Sequence, residues 1–363
     1  MIGDSSACGG VGGAGPERGT ISIAFVHEAL LAVRARGLDG DVLLVRAGIS
    51  PALLDMPQAR VSSASYGLLW HQIAVALDDE FFGMDRHPMK VGSFTLLCHA
   101  IINSDTLERA LRRALRFLRV VMDELAGDLE VRGALCRVRV VDLPAGSGRP
   151  PARAFAYGTL LLMIHGLACW LVGRRIPLDR ASFRCPEPDF SGEWRVLFSP
   201  KLDFGQADTA IEFDSAYLTL PNLRNEAEMK RFLREAPANF LVKYRNSSSL
   251  TAKIRRHLRA RAPTEWPDFP GLASRFHASE STLRRRLEDE GQSYRAILDD
   301  LRRDLAISLL LDTDRPVHEI AIELGFAESS AFHRAFKKWT GAPPGAYRHG
   351  SVRETFDDDA GTG

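Results

Sequence analysis

The sequence has few cysteines and no long apolar run, and each shortage excludes a class of protein. Its five cysteines are scattered over 363 residues without a C-x-x-C pair, which excludes a cysteine-based zinc or redox motif and fits a reducing compartment. They are Cys8, Cys98, Cys136, Cys169 and Cys185. The longest apolar stretch, Tyr157 to Gly173, is interrupted by His165 and is shorter than the roughly 20 residues that cross a bilayer. We predict a buried helix there, and a cytoplasmic protein without a membrane partner.

The two ends of the chain are poor in residues that build a core. Residues 1–19 are rich in glycine and lack the basic start and apolar segment of a secretory signal. We therefore expect a disordered tail there, and a second one at 351–363. Gly10 to Gly15 match the dinucleotide pattern G-x-G-x-x-G, but no strand precedes them and Pro16 follows in place of an apolar helix. The match is therefore compositional.

Catalytic signatures are also missing. The sequence contains no G-x-S-x-G, no H-E-x-x-H and no H-x-E with C-x-x-C. Hence neither an enzyme, a metal site nor a cofactor is predicted. A net charge of +1 decides nothing about nucleic acid, because a mixed chain can still carry a basic face.

The first two thirds of the chain mix helical and extended patterns. The clearest helix is predicted from Asp105 to Leu125, where leucines recur every three or four residues and the arginines, elsewhere on the wheel, form a solvated face. Asp105 and Glu108 predict a capping box at its start. Alternating apolar residues predict strands at Ala134 to Val141 and around Ile211 to Phe213.

From Glu226 onward the pattern is predominantly helical. The polar run that begins at Asn246, just before a helix predicted from Thr251 to Arg259, marks a boundary between domains. We therefore predict a mixed α/β domain at 20–245 and an all-α domain at 246–350.

The C-terminal hundred residues contain an internal repeat of a short helix, a tight turn and a second helix. Ala273 to Ala278 recurs 48 residues later as Ala321 to Phe326, and Leu283 to Leu287 recurs at an offset of 49 as Phe332 to Phe336. The repeat predicts two helix-turn-helix units.

The residue types fit this geometry. The turns require positive φ, which Gly325 adopts without strain and which histidine, at His277, tolerates better than most residues. Leucines and phenylalanines bury one side of each second helix and leave polar side chains on the open side, as reading of a DNA major groove requires. The candidate base-facing residues are Ser281, Thr282, Arg284, Arg285, Ser329, Ser330, His333 and Arg334.

A long helix is predicted between the two units, from Ser293 to Leu311. Its roughly 19 residues span about 28 Å at 1.5 Å per residue. That length is a little under the roughly 34 Å between successive major-groove faces of DNA. One chain can therefore present both second helices to adjacent turns of one face of the duplex.

The segment Ile320 to Arg348, IAIELGFAESSAFHRAFKKWTGAPPGAYR, together with Leu283 to Leu287 and Tyr294, resembles the arabinose-regulator (AraC/XylS) family of bacterial transcription factors. Upstream, Phe204 to Leu218 and Arg234 to Leu241 resemble the α/β effector-sensing domain of one branch of that family. The resemblance extends over most of the chain.

The resemblance implies a transcriptional regulator whose partners are double-stranded operator DNA and a small-molecule effector, with a homodimer and contact with RNA polymerase expected. It places the base-facing candidates on DNA, and Lys337 and Lys338 near phosphates. Pro270 and Gly271 depart from the family pattern at the start of the first unit, where longer charged residues are usual. A shorter leading helix is expected there, since proline suits a first helical turn.

Candidates for effector contact in the α/β domain are Trp70, His71, His99, His165 and Trp170, although such residues more often belong to a core. Two alternatives remain open. The protein could be a sensing or dimerising protein whose helical part is a protein-interaction module. It could also be an enzyme fused to a DNA-binding tail, but the sequence offers no catalytic constellation for that alternative.

Overall fold

The structure, a computed structural model, describes residues 19–143, 154–198, 201–235, 250–290 and 292–348. The tail predicted at 351–363, all but the last residue of the tail predicted at 1–19, and the boundary predicted at Asn246 lie outside these ranges. Residues 19–235, the α/β region, combine helices with two sheets, whereas residues 250–348, the helical region, contain only helices and turns among their described residues. The predicted fold class is confirmed.

The α/β region contains helices and strands in alternation. Its helices are α1 (Ile23–Ala35), α2 (Gly40–Arg46), α3 (Ser63–Leu77), α4 (Ser93–Ile102), α5 (Leu107–Val121), α6 (Ala154–Leu171), α7 (Ser191–Leu197) and α8 (Glu226–Glu235). Its strands are β1 (Thr20–Ser22), β2 (Arg60–Ser62), β3 (Leu125–Arg132), β4 (Leu135–Asp142), β5 (Arg180–Ser182), β6 (Leu202–Asp203) and β7 (Thr209–Asp214).

A five-stranded sheet with the order β3-β4-β7-β5-β6 forms the centre of this region. Its pairs are antiparallel except β5 with β6, and β1 pairs with β2 in a separate two-stranded sheet. Cys136, Val138 and Val140 are buried on one face of β4, as their alternation predicted, while Arg137 and Arg139 on the other face pair with carboxylates. The strands predicted near 134–141 and 211–213 are confirmed.

Helix α6 packs against β4 and β7. Among the described residues it is the one helix long and apolar enough to cross a membrane by length and composition, and 94% of it is buried inside the protein. A helix buried on all sides carries apolar residues all round, so the predicted core helix is confirmed.

The helix predicted from Asp105 to Leu125 is shorter than expected. It begins at Leu107 with Thr106 as its cap, and the predicted capping box is wrong because Asp105 and Glu108 instead pair with arginines one turn further on. The helix ends at Val121, since the chain then turns extended and Leu125 pairs with β4. The arginines along it lie on an exposed face, as predicted.

The helical region contains α9 (Leu250–Arg259), α10 (Phe269–Arg275), α11 (Glu280–Asp289), α12 (Tyr294–Asp312), α13 (Val317–Glu323), α14 (Ser329–Thr340) and α15 (Gly345–Arg348). We call α10 with α11 the first unit, α13 with α14 the second unit, and α12 the linker helix. The two predicted helix-turn-helix units and the helix between them are therefore present.

Both turns adopt the predicted backbone. His277 has φ 50° and Gly325 has φ 81°. The expected shortening at Pro270 does not occur, because α10 and α13 both have seven residues. Asp268 caps α10 by accepting a hydrogen bond from the Gly271 amide at 2.9 Å, and the proline lies in the first turn, where its missing N–H costs nothing.

The linker helix contributes to two cores. Tyr294, Ile297 and Leu301, in its first half, pack with α9, α10 and α11 in a separate cluster. Ala306 and Ile307, in its second half, belong with the second unit to the same continuous core as the α/β region. The second unit is therefore attached to the α/β region, whereas the first unit has a core of its own.

We expect that removing the glycine from the second turn destabilises the protein, whereas introducing a glycine into the first turn does not. Gly325→Ala should lower the free energy of unfolding by about 1–2 kcal/mol, because a Cβ disfavours positive φ. His277→Gly should leave it unchanged or raise it by up to about 1 kcal/mol, since relief of strain is partly offset by the freer unfolded chain. Urea unfolding followed by circular dichroism measures both. A neutral Gly325→Ala would contradict the account of the turn.

Candidate DNA-binding site

The second helix of each unit exposes polar residues beside a buried stripe. In α14, Phe332 and Phe336 are fully buried, while His333, Arg334, Lys337 and Lys338 are exposed. The four exposed residues form a face that carries three permanent cations, and Ser330 lies exposed and Ser329 half-buried at its start. A helix of this kind offers hydrogen-bond donors to base edges and phosphates. We call α11 and α14 the recognition helices.

The first recognition helix is built similarly but is more engaged with its own unit. Leu283 and Leu287 are buried, and Arg284 and Arg285 are exposed. The guanidinium carbon of Arg284 lies 5.5 Å from the centre of the Phe269 ring, a cation–π contact within the unit. This contact holds the Arg284 guanidinium against its own unit, so binding of that guanidinium to DNA would compete with it.

Hydroxyls at the starts of both recognition helices make local hydrogen bonds, and in the first unit one of them caps the helix. Ser279 accepts a hydrogen bond from the Thr282 amide at 3.2 Å and lies 3.1 Å from the hydroxyl of Ser281. In the second unit, the hydroxyl of Ser330 donates to Glu328 at 3.0 Å. These hydroxyls stiffen the helix ends and still face solvent. The structure thus exposes most of the predicted base-facing residues, and their contact with DNA stays a prediction.

A polar network joins the α/β region to the linker helix. We call Thr20, Arg60, Glu193 and Asp304 the Arg60 network. Arg60 binds both carboxylate oxygens of Glu193 at 2.5 and 3.1 Å and donates through Nε to the Thr20 hydroxyl at 2.8 Å. That hydroxyl donates to Asp304 of the linker helix at 2.5 Å. The backbone amide of Arg60 also donates to the hydroxyl of Tyr347 in α15, at 3.2 Å.

The network continues along the linker helix to the first unit's supporting helix. Arg303 pairs with Asp304 at 3.2 Å and with Asp300 at 2.9 Å, and Arg255 of α9 pairs with Asp300 at 2.5 Å. Ion pairs and the Thr20 hydroxyl thus form a continuous polar chain from α7 to α9. The α/β region and α9 are connected through side chains of the linker helix.

Burial makes the Arg60 network strong. The side chains of Arg60 and Glu193 are only 16% and 14% exposed. Burial by itself lowers the pKa of Arg60, but the carboxylates of Glu193 and Asp304 outweigh it and raise that pKa above its ordinary value. The guanidinium therefore stays charged and paired.

The five candidates for effector contact lie in different surroundings. His71 on α3 and His99 on α4 are exposed. His165 is buried in α6, where its Nε2 donates to the carbonyl of Ile176 at 2.9 Å, and burial lowers its pKa to about 3. Neutral and hydrogen-bonded, His165 has the environment of a core histidine.

The two tryptophan candidates are core residues as well. Trp170 stacks on Phe232 with ring centres 4.3 Å apart. Trp70 lines a cavity of about 10 Å³ that Tyr66 and Trp194 also line, which leaves room for about one water molecule. The role of all five in effector contact stays a prediction. No group of three metal-ligating side chains occurs among the described residues.

One cation in the α/β region is buried without a carboxylate partner. Arg175 donates through Nη2 to the carbonyls of Leu197 and Phe198 at 3.1 and 2.8 Å, while its buried Nε and Nη1 make no hydrogen bond. Burial lowers the pKa of this guanidinium to about 10. The sequence analysis missed Arg175, because nothing in its neighbourhood along the chain marks it as buried.

The Arg60 network was missed as well, although one signal was present. Asp304 continues the buried stripe of Tyr294, Ile297 and Leu301 at helical spacing. A carboxylate in such a stripe indicates a buried partner. The identity of that partner could not be read from the sequence, since Thr20 is 284 residues away.

Comparison with known proteins agrees with this architecture. The N-terminal arabinose-binding domain of AraC transcription regulators matches residues 37–222, and a helix-turn-helix domain matches residues 272–350. The chain is 30% identical over 331 residues to the ornithine utilization regulator of Pseudomonas aeruginosa, covering 90% of this chain and 96% of that protein. It is 27% identical over 327 residues to the uncharacterized HTH-type transcriptional regulator Rv1395 of Mycobacterium tuberculosis, covering 86% and 91%.

Among solved structures, the transcriptional regulator CdpR from Pseudomonas aeruginosa aligns with 90% of this chain and 98% of its own, at 20% identity and a TM-score of 0.30. The family matches together define a helix-turn-helix transcriptional regulator with an N-terminal ligand-binding domain. This chain belongs to the AraC family of transcriptional regulators. Its relatives are named as regulators and not as enzymes.

Removal of Arg60 should destabilise the protein strongly. Arg60→Ala leaves the buried carboxylate of Glu193 without its cation, which we expect to cost about 3–5 kcal/mol of unfolding free energy. Arg86→Ala is the matched control, since its pair with Asp123 is 62% and 46% exposed and should cost less than about 1 kcal/mol. Urea unfolding of both variants measures the difference. Equal losses would show that the Arg60 network contributes no more than a surface pair.

Proposed function

We propose that the protein is a one-component regulator that binds operator DNA through both recognition helices and responds to a small molecule bound by its α/β region. The duplicated helix-turn-helix, with the cationic face of α14 open to solvent, is the observation that carries the DNA half of the proposal. The family's ligand-binding domain supports the effector half. In this proposal residues 20–245 form the effector domain and residues 246–350 form the DNA-binding domain.

Within the DNA-binding part, residues differ in what they read. Arg334 lies in the middle of the exposed face of α14, whereas Lys337 and Lys338 lie one turn later, towards the helix end. We assign base contact to Arg334 and the other predicted base-facing residues, and phosphate contact to the two lysines. Arginine suits a guanine edge because its planar fork donates two parallel hydrogen bonds, whereas lysine acts as a point charge.

Arg334→Ala should weaken binding to operator about ten- to a hundredfold while leaving binding to random DNA nearly unchanged. Lys337→Ala should weaken both and lower the slope of log K against log salt by about one. Arg119→Ala, which removes an exposed arginine from α5, should change neither. Fluorescence anisotropy with the chain's own upstream DNA and a scrambled duplex, at several salt concentrations, measures these effects.

Two results would contradict the proposal in different ways. Equal loss of operator and random binding in Arg334→Ala would make that residue a phosphate contact. No preference of the wild-type chain for any upstream duplex would favour the protein-interaction module instead.

We also propose a homodimer that contacts RNA polymerase in the cytoplasm, on the basis of family membership. Sedimentation velocity on operator DNA tests the dimer, and one monomer per saturated operator would remove it.

The uncompensated cation Arg175 favours an effector with an anionic group, since a carboxylate would accept hydrogen bonds from N–H groups that now have no partner. The relative's name links it to ornithine utilization, and ornithine carries a carboxylate, whereas arabinose does not. We therefore expect ornithine or a related amino acid, and not arabinose, to raise the Tm of the full chain. At a hundredfold excess over Kd the gain is about 2.7 kcal/mol.

Arg175→Met should abolish that shift, and Arg174→Met, which removes the adjacent exposed arginine, should keep it. Differential scanning fluorimetry with each ligand measures the Tm of all three proteins. Stabilisation by arabinose alone, or an undiminished shift in Arg175→Met, would exclude an anionic effector held by Arg175.

A further inference from the structure

Arg302 of the linker helix contacts the turn of the second unit and also Trp266, which packs against the core of the first unit. Its Nε donates to the carbonyl of Leu324, the residue that ends α13, at 3.1 Å. Its guanidinium carbon lies 5.4 Å from the centre of the Trp266 ring and 5.8 Å from the centre of the Phe326 ring. Trp266 belongs to the first core, and Phe326 belongs to the second.

Both aromatic rings that Arg302 contacts are held in place by neighbouring helices. The indole N–H of Trp266 donates to the carbonyl of Leu258 in α9 at 2.9 Å. The Phe326 ring packs on Phe332 and Trp339 of the second recognition helix, with ring centres 5.5 and 6.0 Å apart. A shift of Arg302 therefore acts on the supports of both recognition helices.

The two sides of the space between the units approach each other closely at one point, since a Cβ on Gly325 would lie 3.7 Å from the carbonyl oxygen of Pro263, and part of the space beside this contact is open. A cleft of about 240 Å³ separates them, with Arg261 and Pro263 on the side of the first unit, Leu305 and Leu309 of the linker helix as its floor, and Leu324 on the side of the second unit. Beside this cleft, Arg302 contacts the carbonyl of Leu324 on one side and the ring of Trp266 on the other.

The chemistry of Arg302 is specialised for this position. Its neighbour Arg303 forms ion pairs with Asp300 and Asp304, whereas no carboxylate of the described chain lies within ion-pairing distance of Arg302. Its cation is stabilised by two aromatic rings and one carbonyl. Arginine suits these combined contacts because its planar group stacks on aromatic rings and donates hydrogen bonds in its own plane. The ammonium of lysine is compact and more strongly hydrated.

We propose that Arg302 fixes the separation and orientation of the two recognition helices and thereby determines which half-site spacing the operator must have. It is a positioning residue, which acts on DNA through both units. The statement about operator spacing rests on the proposed function, since it assumes that both helices bind DNA. The statement that Arg302 fixes the relative position of the two helices does not depend on it.

The DNA test compares operators that differ in half-site spacing. Wild type should prefer the natural spacing to one with a base pair inserted between half-sites. Arg302→Met should lower natural-operator affinity about five- to thirtyfold, with the preference for natural spacing largely lost. Affinity for a duplex with one intact half-site should stay within about twofold. Arg302→Lys should behave like Arg302→Met, since a positive charge alone does not hold the two units in a fixed position.

The control is Arg295→Met, which removes an exposed arginine two turns earlier on the same helix and should leave the spacing preference unchanged. Rescue by Arg302→Lys, together with loss of half-site affinity in Arg302→Met, would make Arg302 a phosphate contact and overturn the proposal. Unchanged spacing preference in Arg302→Met would overturn it as well.

A second measurement needs no DNA. Spin labels on cysteines introduced at Ser281 and Ser330, which are exposed at equivalent positions of the two recognition helices, report their separation by double electron–electron resonance in the full chain with Cys8 and Cys185 replaced by serine. Wild type and Arg295→Met should give one narrow distance distribution, and Arg302→Met a broad one. An unbroadened distribution in Arg302→Met would overturn the positioning role of Arg302. A broadened distribution in a chain without sequence preference for DNA would contradict the proposed function but would still support that positioning role.

Discussion

The linker helix α12 belongs to two hydrophobic cores, and this dual membership constrains the rest of the molecule. Its first half is buried among the helices of the first unit, and its second half is buried in the core that the second unit shares with the α/β region. An α-helix of 19 residues kinks sharply only where its backbone hydrogen bonds are interrupted, and this one carries no proline or glycine. Movement of either core therefore moves the helix as a whole, and with it both recognition helices.

Polar side chains determine where the linker helix sits. Asp304 lies near its middle, buried, and accepts a hydrogen bond from Thr20, whose hydroxyl in turn accepts one from Arg60 of the α/β region. A buried carboxylate is costly unless it is paired, so this contact tolerates few alternative positions. Glu193 lies next to Trp194, whose ring lines the cavity of the α/β core. Side-chain contacts therefore lead from that core through α7, Arg60 and Thr20 to the linker helix, which makes a contiguous physical connection between the two regions.

The described α/β core is closed around its aromatic residues. A cavity of about 10 Å³ does not admit an amino acid or a sugar, so a ligand that enters this core must displace side chains that are packed now. Trp194 packs so close to α6 that a Cβ on Gly158 would lie 2.7 Å from its ring. A core packed this tightly rearranges between discrete states and does not deform gradually. A rearrangement of that kind would also displace the elements that pack against the core.

The sequence by itself determined the features that depend on near neighbours: the repeated helix-turn-helix, the linker helix, the positive φ at His277 and Gly325, and the buried helix α6. Each follows from helical spacing or from the steric limits of single residues. Tertiary structure alone decided the rest. The helix from Leu107 stops at Val121 because β3 pairs with β4, and Thr20, which binds Arg60, meets Asp304 across 284 residues. The stability of such contacts comes from burial, and burial is a property of the assembled core that no local pattern records.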